Sequence, residues 1–187
     1  MNKNLRDYVK VYNNYIDKDV CERTIRELKF ANWQQHYFDG SDNDKTTLSG
    51  DDELSIAWSN LTTSKILMKS IRNGLEQYVL KDCKFSWHQG WQGYTEIRFN
   101  RYSANKKMAE HCDHIVINDS TRKGIPVLSF VGVLNDNYEG GEFIMFQDEV
   151  IKLTQGDLMI FPSVFLFPHR VDPVTKGTRH TFVSWSW

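Results

Sequence analysis

The fold class is decided by the C-terminal stretch Gly140–Trp187, which reads GGEFIMFQDEVIKLTQGDLMIFPSVFLFPHRVDPVTKGTRHTFVSWSW. Short runs of β-branched and aromatic residues alternate here with turn signals, among them Gly140-Gly141, Gln155-Gly156-Asp157 and Lys176-Gly177. This pattern predicts short strands joined by tight turns, the arrangement of a sandwich or a jelly roll.

Upstream, the same pattern begins near Tyr94. It predicts about eight strands in all, at Thr95–Tyr102, His114–Asn118, Val127–Leu134, Glu142–Phe146, Val150–Leu153, Asp157–Phe161, Phe165–Val171 and Thr181–Trp187. We therefore predict a mainly β member of the α+β class, a double-stranded β-helix (jelly roll, cupin-like) with N-terminal buttressing helices.

The N-terminal part has a different pattern. Apolar residues at helical spacing predict helices over Asp17–Ala31 and Ser64–Leu80, which would pack against one sheet. Between them, residues 39–53 are polar and acidic, typical of a solvated loop, with a flap over a site as the functional alternative. We expect a single domain over 1–187, with a helical support region at about 1–93 and a jelly-roll core at about 94–187.

Composition excludes several classes of protein. The 187 residues carry 23 Lys plus Arg and 24 Asp plus Glu, a net charge of -1 that argues against a nucleic-acid partner. No apolar run is long enough to cross a membrane, and the start lacks the apolar core of a signal peptide. Three cysteines without paired spacing argue against a disulfide framework, so we predict a cytoplasmic protein.

Three side chains have the pattern of a metal site. In the segment His111-Cys112-Asp113, an extended backbone would point the imidazole and the carboxylate to one side. His169, far along the chain, could complete the set from a facing strand. Two histidines and one carboxylate bind one face of an octahedral ion and leave three positions open, as in non-haem Fe(II) oxygenases. By itself, such a His-x-Asp pair is more often an ordinary turn or surface pair.

Arg179 favours the metal-site interpretation over an ordinary surface pair. It follows His169 by ten residues, and a turn marked by Pro173 and Gly177 would bring it back beside the metal. A permanently charged guanidinium among aromatic and aliphatic residues needs an anion to offset its desolvation. The distal carboxylate of 2-oxoglutarate, whose keto-acid end chelates iron, would be such an anion.

With these motifs the sequence resembles the Fe(II)/2-oxoglutarate-dependent dioxygenases, specifically the prolyl 4-hydroxylase-like branch. The resemblance covers roughly Ile97 to Trp187. Besides the residues above, it rests on Arg101-Tyr102, Leu134-Asn135, Gly140-Gly141-Glu142-Phe143, Gly156-Asp157 with the following Leu158–Pro162, and Trp185.

The resemblance implies a role for each site residue. His111, Asp113 and His169 would bind Fe(II), Arg179 would bind the distal carboxylate of 2-oxoglutarate, and Tyr102 would hydrogen-bond that cosubstrate. Trp185 would line the iron pocket. Several prolyl hydroxylases add a tyrosine just before the Leu-Asn pair, where this chain has Val133, so a second polar contact to the cosubstrate is in question.

It also implies an activity: with O2, an unactivated C–H bond would be hydroxylated and succinate and CO2 released, ascorbate being a further candidate cofactor. The expected substrate is a prolyl residue in a peptide or protein. The alternatives are a free amino acid or other small molecule, a jelly-roll binding module without chemistry, and, least favoured, a zinc hydrolase. The sequence does not indicate an oligomeric state.

Neighbouring residues of similar chemistry are assigned otherwise. His114 and His180 adjoin Asp113 and Arg179 and should point away from the site along an extended strand. Cys112, between two candidate ligands, should likewise point away and act as an inert thiol.

Overall fold

Antiparallel strands and two α-helices form the chain in the computed structural model, which describes residues 4–39, 46–48, 50–84, 90, 92–114, 117–118 and 123–187. The helices are a 3-10 helix Leu5–Tyr8, α1 Lys18–Leu28, α2 Ser64–Glu76 and a π-helix Gln77–Asp82. The strands are β1 Lys10–Tyr12, β2 Gln34–Gln35, β3 Tyr37–Asp39, β4 Thr46–Leu48, β5 Ser55–Trp58, β6 Arg98–Tyr102, β7 Met108–His111, β8 Ile117–Asn118, β9 Lys123–Gly124, β10 Leu128–Val133, β11 Glu139–Gly140, β12 Phe143–Met145, β13 Glu149–Ile151, β14 Leu158–Pro162, β15 His169–Val171, β16 Val174–Lys176 and β17 Arg179–Ser186.

Two sheets enclose the centre of the molecule. The major sheet has the order β1-β14-β10-β17-β6-β5-β2, and the minor sheet the order β13-β12-β15-β7. Every neighbouring pair in both sheets is antiparallel. Their inner faces share one apolar cluster, to which the major sheet contributes Val131 and Phe161 and the minor sheet Met108 and Phe143. The jelly-roll prediction is therefore confirmed.

The outer face of the major sheet is buried as well, under the helices. Along β14, Leu158 and Ile160 pack into the helix-side cluster, whereas Met159 and Phe161 pack between the sheets. Burial on both faces explains why this strand is apolar at consecutive positions. Gly74 of α2 lets the helix approach closely, because a Cβ there would lie 2.8 Å from the Leu158 side chain.

The N-terminal segment is fastened to the core by the Gly156-Asp157 turn. The carboxylate of Asp157, fully buried, accepts hydrogen bonds from the backbone N–H groups of Asn14 at 3.0 Å and Thr154 at 2.8 Å. Gly156 has φ +89°, and a Cβ there would lie 2.6 Å from the carbonyl oxygen of Ile16. The turn motif thus holds the start of the chain against the jelly roll.

Some boundaries differ from the predictions. Both predicted helices are present, the first ending at Leu28 and the second passing into the π-helix. The loop predicted at 39–53 contains the strand β4, which pairs with β3 just before it, while residues 40–45 and 49 lie outside the described residues. The N-terminal part also adds β1, β2 and β5 to the major sheet, strands too short to show a period in the sequence.

Two predicted strands begin later than expected. The strand predicted from Phe165 starts at His169, because the exposed Phe165 and Leu166 lie in the preceding loop. The strand predicted from Thr95 starts at Arg98. Of the strand predicted at 114–118, the structure gives Ile117–Asn118, and residues 115–116 lie outside the described residues.

Candidate metal centre and cosubstrate pocket

His111, Asp113 and His169 meet between the two sheets. His111 ends β7, Asp113 follows it by two residues, and His169 begins β15. The antiparallel pairing of β15 with β7 places His169 directly opposite His111, with ring centroids 4.3 Å apart. Strand pairing therefore brings together residues that are distant in the sequence.

The ligand atoms of these residues point at a common centre. The Asp113 Oδ1 lies 3.5 Å from the His111 Nε2 and 4.0 Å from the His169 Nε2. One ligand atom from each residue lies within 4.8 Å of the other two. Two imidazole nitrogens and one carboxylate oxygen at these separations could hold a single metal ion, and they match the donor set of non-haem iron.

Surrounding hydrogen bonds fix the orientation of the three side chains. The Nδ1 of His111 lies 2.9 Å from the carbonyl oxygen of Ala109, and the Nδ1 of His169 lies 3.1 Å from that of Phe167. A carbonyl oxygen can only accept, so each Nδ1 donates, and each neutral ring keeps the Nε2 lone pair for a metal. The other carboxylate oxygen of Asp113 accepts a 2.6 Å hydrogen bond from the Ser129 hydroxyl.

The protonation states also suit a cation. Burial lowers the pKa of His169 to about 4, so its imidazole is neutral at physiological pH. Burial alone would raise the pKa of Asp113, but His169, His111 and the Ser129 hydroxyl together hold it well below its usual range. Asp113 therefore presents a negative charge and His169 a neutral nitrogen, the forms that bind a metal.

Arg179 lies in the same cavity and lacks a countercharge. Its side chain is 1% exposed, yet no carboxylate of the described residues lies within 4.0 Å of the guanidinium. The Nε donates to the Tyr138 hydroxyl at 3.2 Å, and the guanidinium carbon lies 5.0 Å from the ring centroid of Tyr102. A buried cation with this environment fits an anionic cosubstrate.

Two motif residues set the position of Arg179. A Cβ on Gly141, which has φ +69°, would lie 3.1 Å from the Arg179 Cδ and 2.9 Å from a Val174 methyl carbon. The amide of Asn135 donates to the carbonyl oxygen of Thr178 at 2.8 Å, and its oxygen accepts from the N–H of residue 180 at 2.7 Å. These contacts fix the turn on both sides of the arginine, a role that the Gly-Gly and Leu-Asn motifs did not reveal by themselves.

The other predicted pocket residues lie in this cavity too. Tyr102 faces Arg179 across paired strands, and Trp185 lines the wall and is 5% exposed. Burial raises the pKa of Tyr102 although Arg179 opposes the shift, so the phenol stays protonated and can donate. The cavity is lined by Arg98, Asn100, Tyr102, Met108, His111, Asp113, Val131, Phe143, His169, Val171, Arg179, Thr181, Val183 and Trp185.

The sequence analysis missed Tyr138. Val133, at the position where several prolyl hydroxylases have a tyrosine, has no hydroxyl. Tyr138, in the loop after β10, supplies a phenol oxygen to Arg179 instead. Tyr138 lies between the Leu134-Asn135 and Gly140-Gly141 motifs, but the sequence did not show that its hydroxyl points at Arg179.

The residues assigned away from the site do lie elsewhere. His180 lies near Trp33, with ring centroids 6.2 Å apart, and burial lowers its pKa to about 4. His114 is exposed and packs its ring against Phe165 at 6.2 Å. Neither they nor Cys112 line the cavity.

Among the described residues, no helix has the length and apolar character needed to cross a membrane.

Comparison with known proteins places this site in a family. Residues 97–187 match the 2OG-Fe(II) oxygenase superfamily. A PKHD-type hydroxylase of Idiomarina loihiensis is 26% identical over 92% of this chain and 74% of its own length. A PKHD-type hydroxylase of Stenotrophomonas maltophilia is 37% identical, but that match covers 49% of this chain and only 43% of the relative.

Solved structures show the same fold. A prolyl hydroxylase from Trichoplax adhaerens, in complex with a hypoxia inducible factor peptide fragment, has a TM-score of 0.74 at 15% identity and covers 97% of this chain and 84% of its own. A prolyl-4-hydroxylase from Pseudomonas putida has a TM-score of 0.67 at 16% identity, covering 96% and 91%.

The fold and the site define an Fe(II)- and 2-oxoglutarate-dependent dioxygenase. Residues 97–187, just under half of the chain, match the 2OG-Fe(II) oxygenase superfamily, and this part of the chain is prolyl 4-hydroxylase-like. Its metal is Fe(II), and its cosubstrates are 2-oxoglutarate and O2. This match favours an enzyme over the binding module and the zinc hydrolase that the sequence left open.

Proposed function

We propose that this oxygenase hydroxylates a prolyl residue in a peptide or protein and releases succinate and CO2. In this proposal His111, Asp113 and His169 hold Fe(II), and Arg179 binds the distal carboxylate of 2-oxoglutarate. The observation that carries it is that the His-Asp-His cluster, of which Asp113 and His169 are buried, lines the same cavity as the buried Arg179, which has no countercharge among the described residues.

The protein's own residues bind and orient the metal and the cosubstrate, and they exclude water from the site. When bound, Fe(II) with 2-oxoglutarate supplies the oxidising chemistry. Tyr102 and Tyr138 offer hydroxyls beside Arg179, so the distal carboxylate would meet one cation and two phenols. Apolar side chains such as Phe143 and Val131 line part of the cavity and help to keep water from the reacting centre.

A peptide substrate is supported by two exposed apolar residues close to His169 in the chain and by one structural neighbour. Phe165 and Leu166 are exposed in the loop immediately before His169, where they offer apolar contacts beside the site. The Trichoplax adhaerens enzyme of the same fold was solved with a peptide fragment.

We also propose that residues 1–187 form a single domain and that the protein is cytoplasmic.

Metal and cosubstrate binding can be tested without a substrate. Fe(II) and 2-oxoglutarate added under argon should give the weak visible charge-transfer band of a chelated complex, and His169→Ala should abolish it. His114→Ala is the matched control, because His114 is exposed and adjoins Asp113 without facing the cavity. Unchanged metal affinity in His169→Ala would disprove the ligand assignment.

The substrate is best sought by mass spectrometry. Proline-containing peptides and free amino acids are incubated with Fe(II), 2-oxoglutarate and O2, and the products are searched for a gain of one oxygen atom with an equal amount of succinate. Hydroxylation of a prolyl residue supports the proposal. Hydroxylation of a free amino acid alone would replace the peptide substrate by the small-molecule alternative.

A further inference from the structure

We propose that Arg98 binds a carboxylate group of the substrate, in a subsite that it forms with Trp185 at the end of the cavity away from Arg179. The proposal rests on the oxygenase function above and narrows its substrate class. It requires a substrate with a carboxylate close to the carbon that is hydroxylated.

Strand register separates the two arginines of the cavity. On β6, the side chains of Arg98, Asn100 and Tyr102 all line the cavity, as alternate residues of a strand should. Tyr102 is paired with Arg179, whereas Arg98 is paired with Val183. Four residues of strand separate the two pairs, roughly 13 Å, so the two cations serve different parts of the cavity.

Arg98 makes no direct ion pair within the described part of the chain, although the charge of Asp113 acts on it from a distance. Its guanidinium carbon lies 5.0 Å from the ring centroid of Trp185, and its Nε donates to the Asn100 side-chain oxygen at 3.1 Å. Among the described residues, no carboxylate lies within 4.0 Å of it. Stacking and the single bond hold the guanidinium in place and leave its two terminal nitrogens as donors.

Trp185 provides a second, independent sign of an absent acceptor. Its indole Nε1 is buried, and no residue of the described part of the chain accepts a hydrogen bond from it. An indole N–H can only donate, and leaving it unpaired costs free energy. Within the described chain, an acceptor for this N–H is therefore missing next to the stacked Arg98 guanidinium.

The charges of the cavity lead to the same conclusion. Its charged lining residues are Arg98, Arg179 and Asp113, with a net charge of one positive. Fe(II) brings two positive charges and 2-oxoglutarate two negative charges, which cancel. A neutral substrate would leave the positive charge uncompensated in a water-poor space, and a substrate carboxylate would balance it.

The shared chemistry is a carboxylate, which has two sources. It is the α-carboxylate of a C-terminal or free amino acid, or the side chain of an acidic residue next to the reacting proline. The probes that separate these sources are N-acetylproline, its neutral amide, and the amide of acetyl-aspartyl-proline.

Binding of each probe is measured by calorimetry under argon, on protein loaded with Mn(II) and 2-oxoglutarate. We expect wild type to bind one or both of the acids on the order of 10- to 100-fold more tightly than the neutral amide. Arg98→Gln should abolish that preference, and Arg98→Lys should retain part of it. Arg72→Gln is the matched control, since Arg72 is exposed and stacks over Tyr94 in a similar way, at 5.9 Å.

Turnover with Fe(II) and O2 distinguishes a failure of the Arg98 assignment from a failure of the proposed oxygenase function. If wild type binds neither acid better than the amide, or if the preference survives in Arg98→Gln, the Arg98 assignment is wrong, even where succinate formation supports the oxygenase function. A preference lost in Arg98→Gln with no hydroxylated product supports the subsite and contradicts the prolyl substrate. If Arg98→Gln does not fold, a reduced but detectable preference in Arg98→Lys supports the subsite. An undiminished preference in Arg98→Lys, or no preference in wild type, contradicts it.

Discussion

Replacing Arg179 with Met tests two effects of the buried cation separately: its effect on the stability of the ligand-free protein and its effect on 2-oxoglutarate binding. Without 2-oxoglutarate, the variant should be as stable as wild type to within about 2 kcal/mol. The substitution removes a hydrogen bond to Tyr138 and the stacking on Tyr102, each worth roughly 1 kcal/mol. It also removes the desolvation cost of a guanidinium that no described carboxylate offsets, which is of similar or larger size.

With 2-oxoglutarate the two proteins should differ clearly. A ligand at about 100 times its dissociation constant stabilises the native state by about 2.7 kcal/mol. For a chain of this length that corresponds to a rise in Tm of roughly 5 to 10 °C. Loss of the charge-assisted pair should weaken binding enough to reduce the rise to below about 2 °C at the same concentration.

Thermal unfolding of the Mn(II)-loaded proteins, with and without 2-oxoglutarate, measures both quantities. Arg179→Lys should keep part of the ligand-induced rise because it keeps the charge. Arg72→Met, the same change at an exposed site, should keep all of it. The reasoning is refuted if Arg179→Met shows the full rise, or if it loses more than about 4 kcal/mol without ligand, since that would reveal a structural partner for the cation.

Three further outcomes are expected. Ser129→Ala should weaken Mn(II) binding, followed by magnetic resonance titration, by about 10-fold or more, because the buried hydroxyl donates to Asp113 at 2.6 Å; unchanged affinity would contradict this. Asn135→Ala should lower the free energy of unfolding in urea by about 1 to 3 kcal/mol through its lost buried hydrogen bonds, and an Asn→Ala change without effect would show that the turn is held otherwise. Burial lowers the pKa of His36 to about 3 and of His180 to about 4, so the unfolded chain binds more protons between about pH 6.5 and 4 and stability should fall as pH falls through that window; His180→Gln should reduce the slope, measured by urea unfolding at several pH values, by about one proton.

Much of the fold was accessible from the sequence because its signals are local. Apolar spacing predicted the positions of α1 and α2, and turn residues bounded most jelly-roll strands. The ligand candidates were accessible because a His-x-Asp pair, a later histidine and an arginine ten residues on form a rare combination. Any one of these features alone would have been read as an ordinary turn or surface residue and would not have indicated a metal site.

Other parts depend on pairing between distant segments. The strands β1, β2 and β5 have two to four residues each, too few for a period. They are strands only because β1 pairs with β14, β5 with β6 and β2 with β5. Tyr138 reaches Arg179 through the conformation of a loop. No local pattern encodes such contacts, so they appear only with the structure.

The direction of side chains in the central strands shows why the second arginine of the cavity escaped notice. Alternation normally places apolar residues toward the core, which in Arg98-Phe99-Asn100 would put Phe99 inside the jelly roll. Phe99 instead packs under the helices, while Arg98 and Asn100 face the cavity. Because both faces of this sheet are buried, hydrophobicity cannot distinguish the pocket face from the helix face. In such a strand a charged residue that faces the interior indicates the pocket. The buried Arg179 and the half-buried Arg98 both line the cavity, from neighbouring strands.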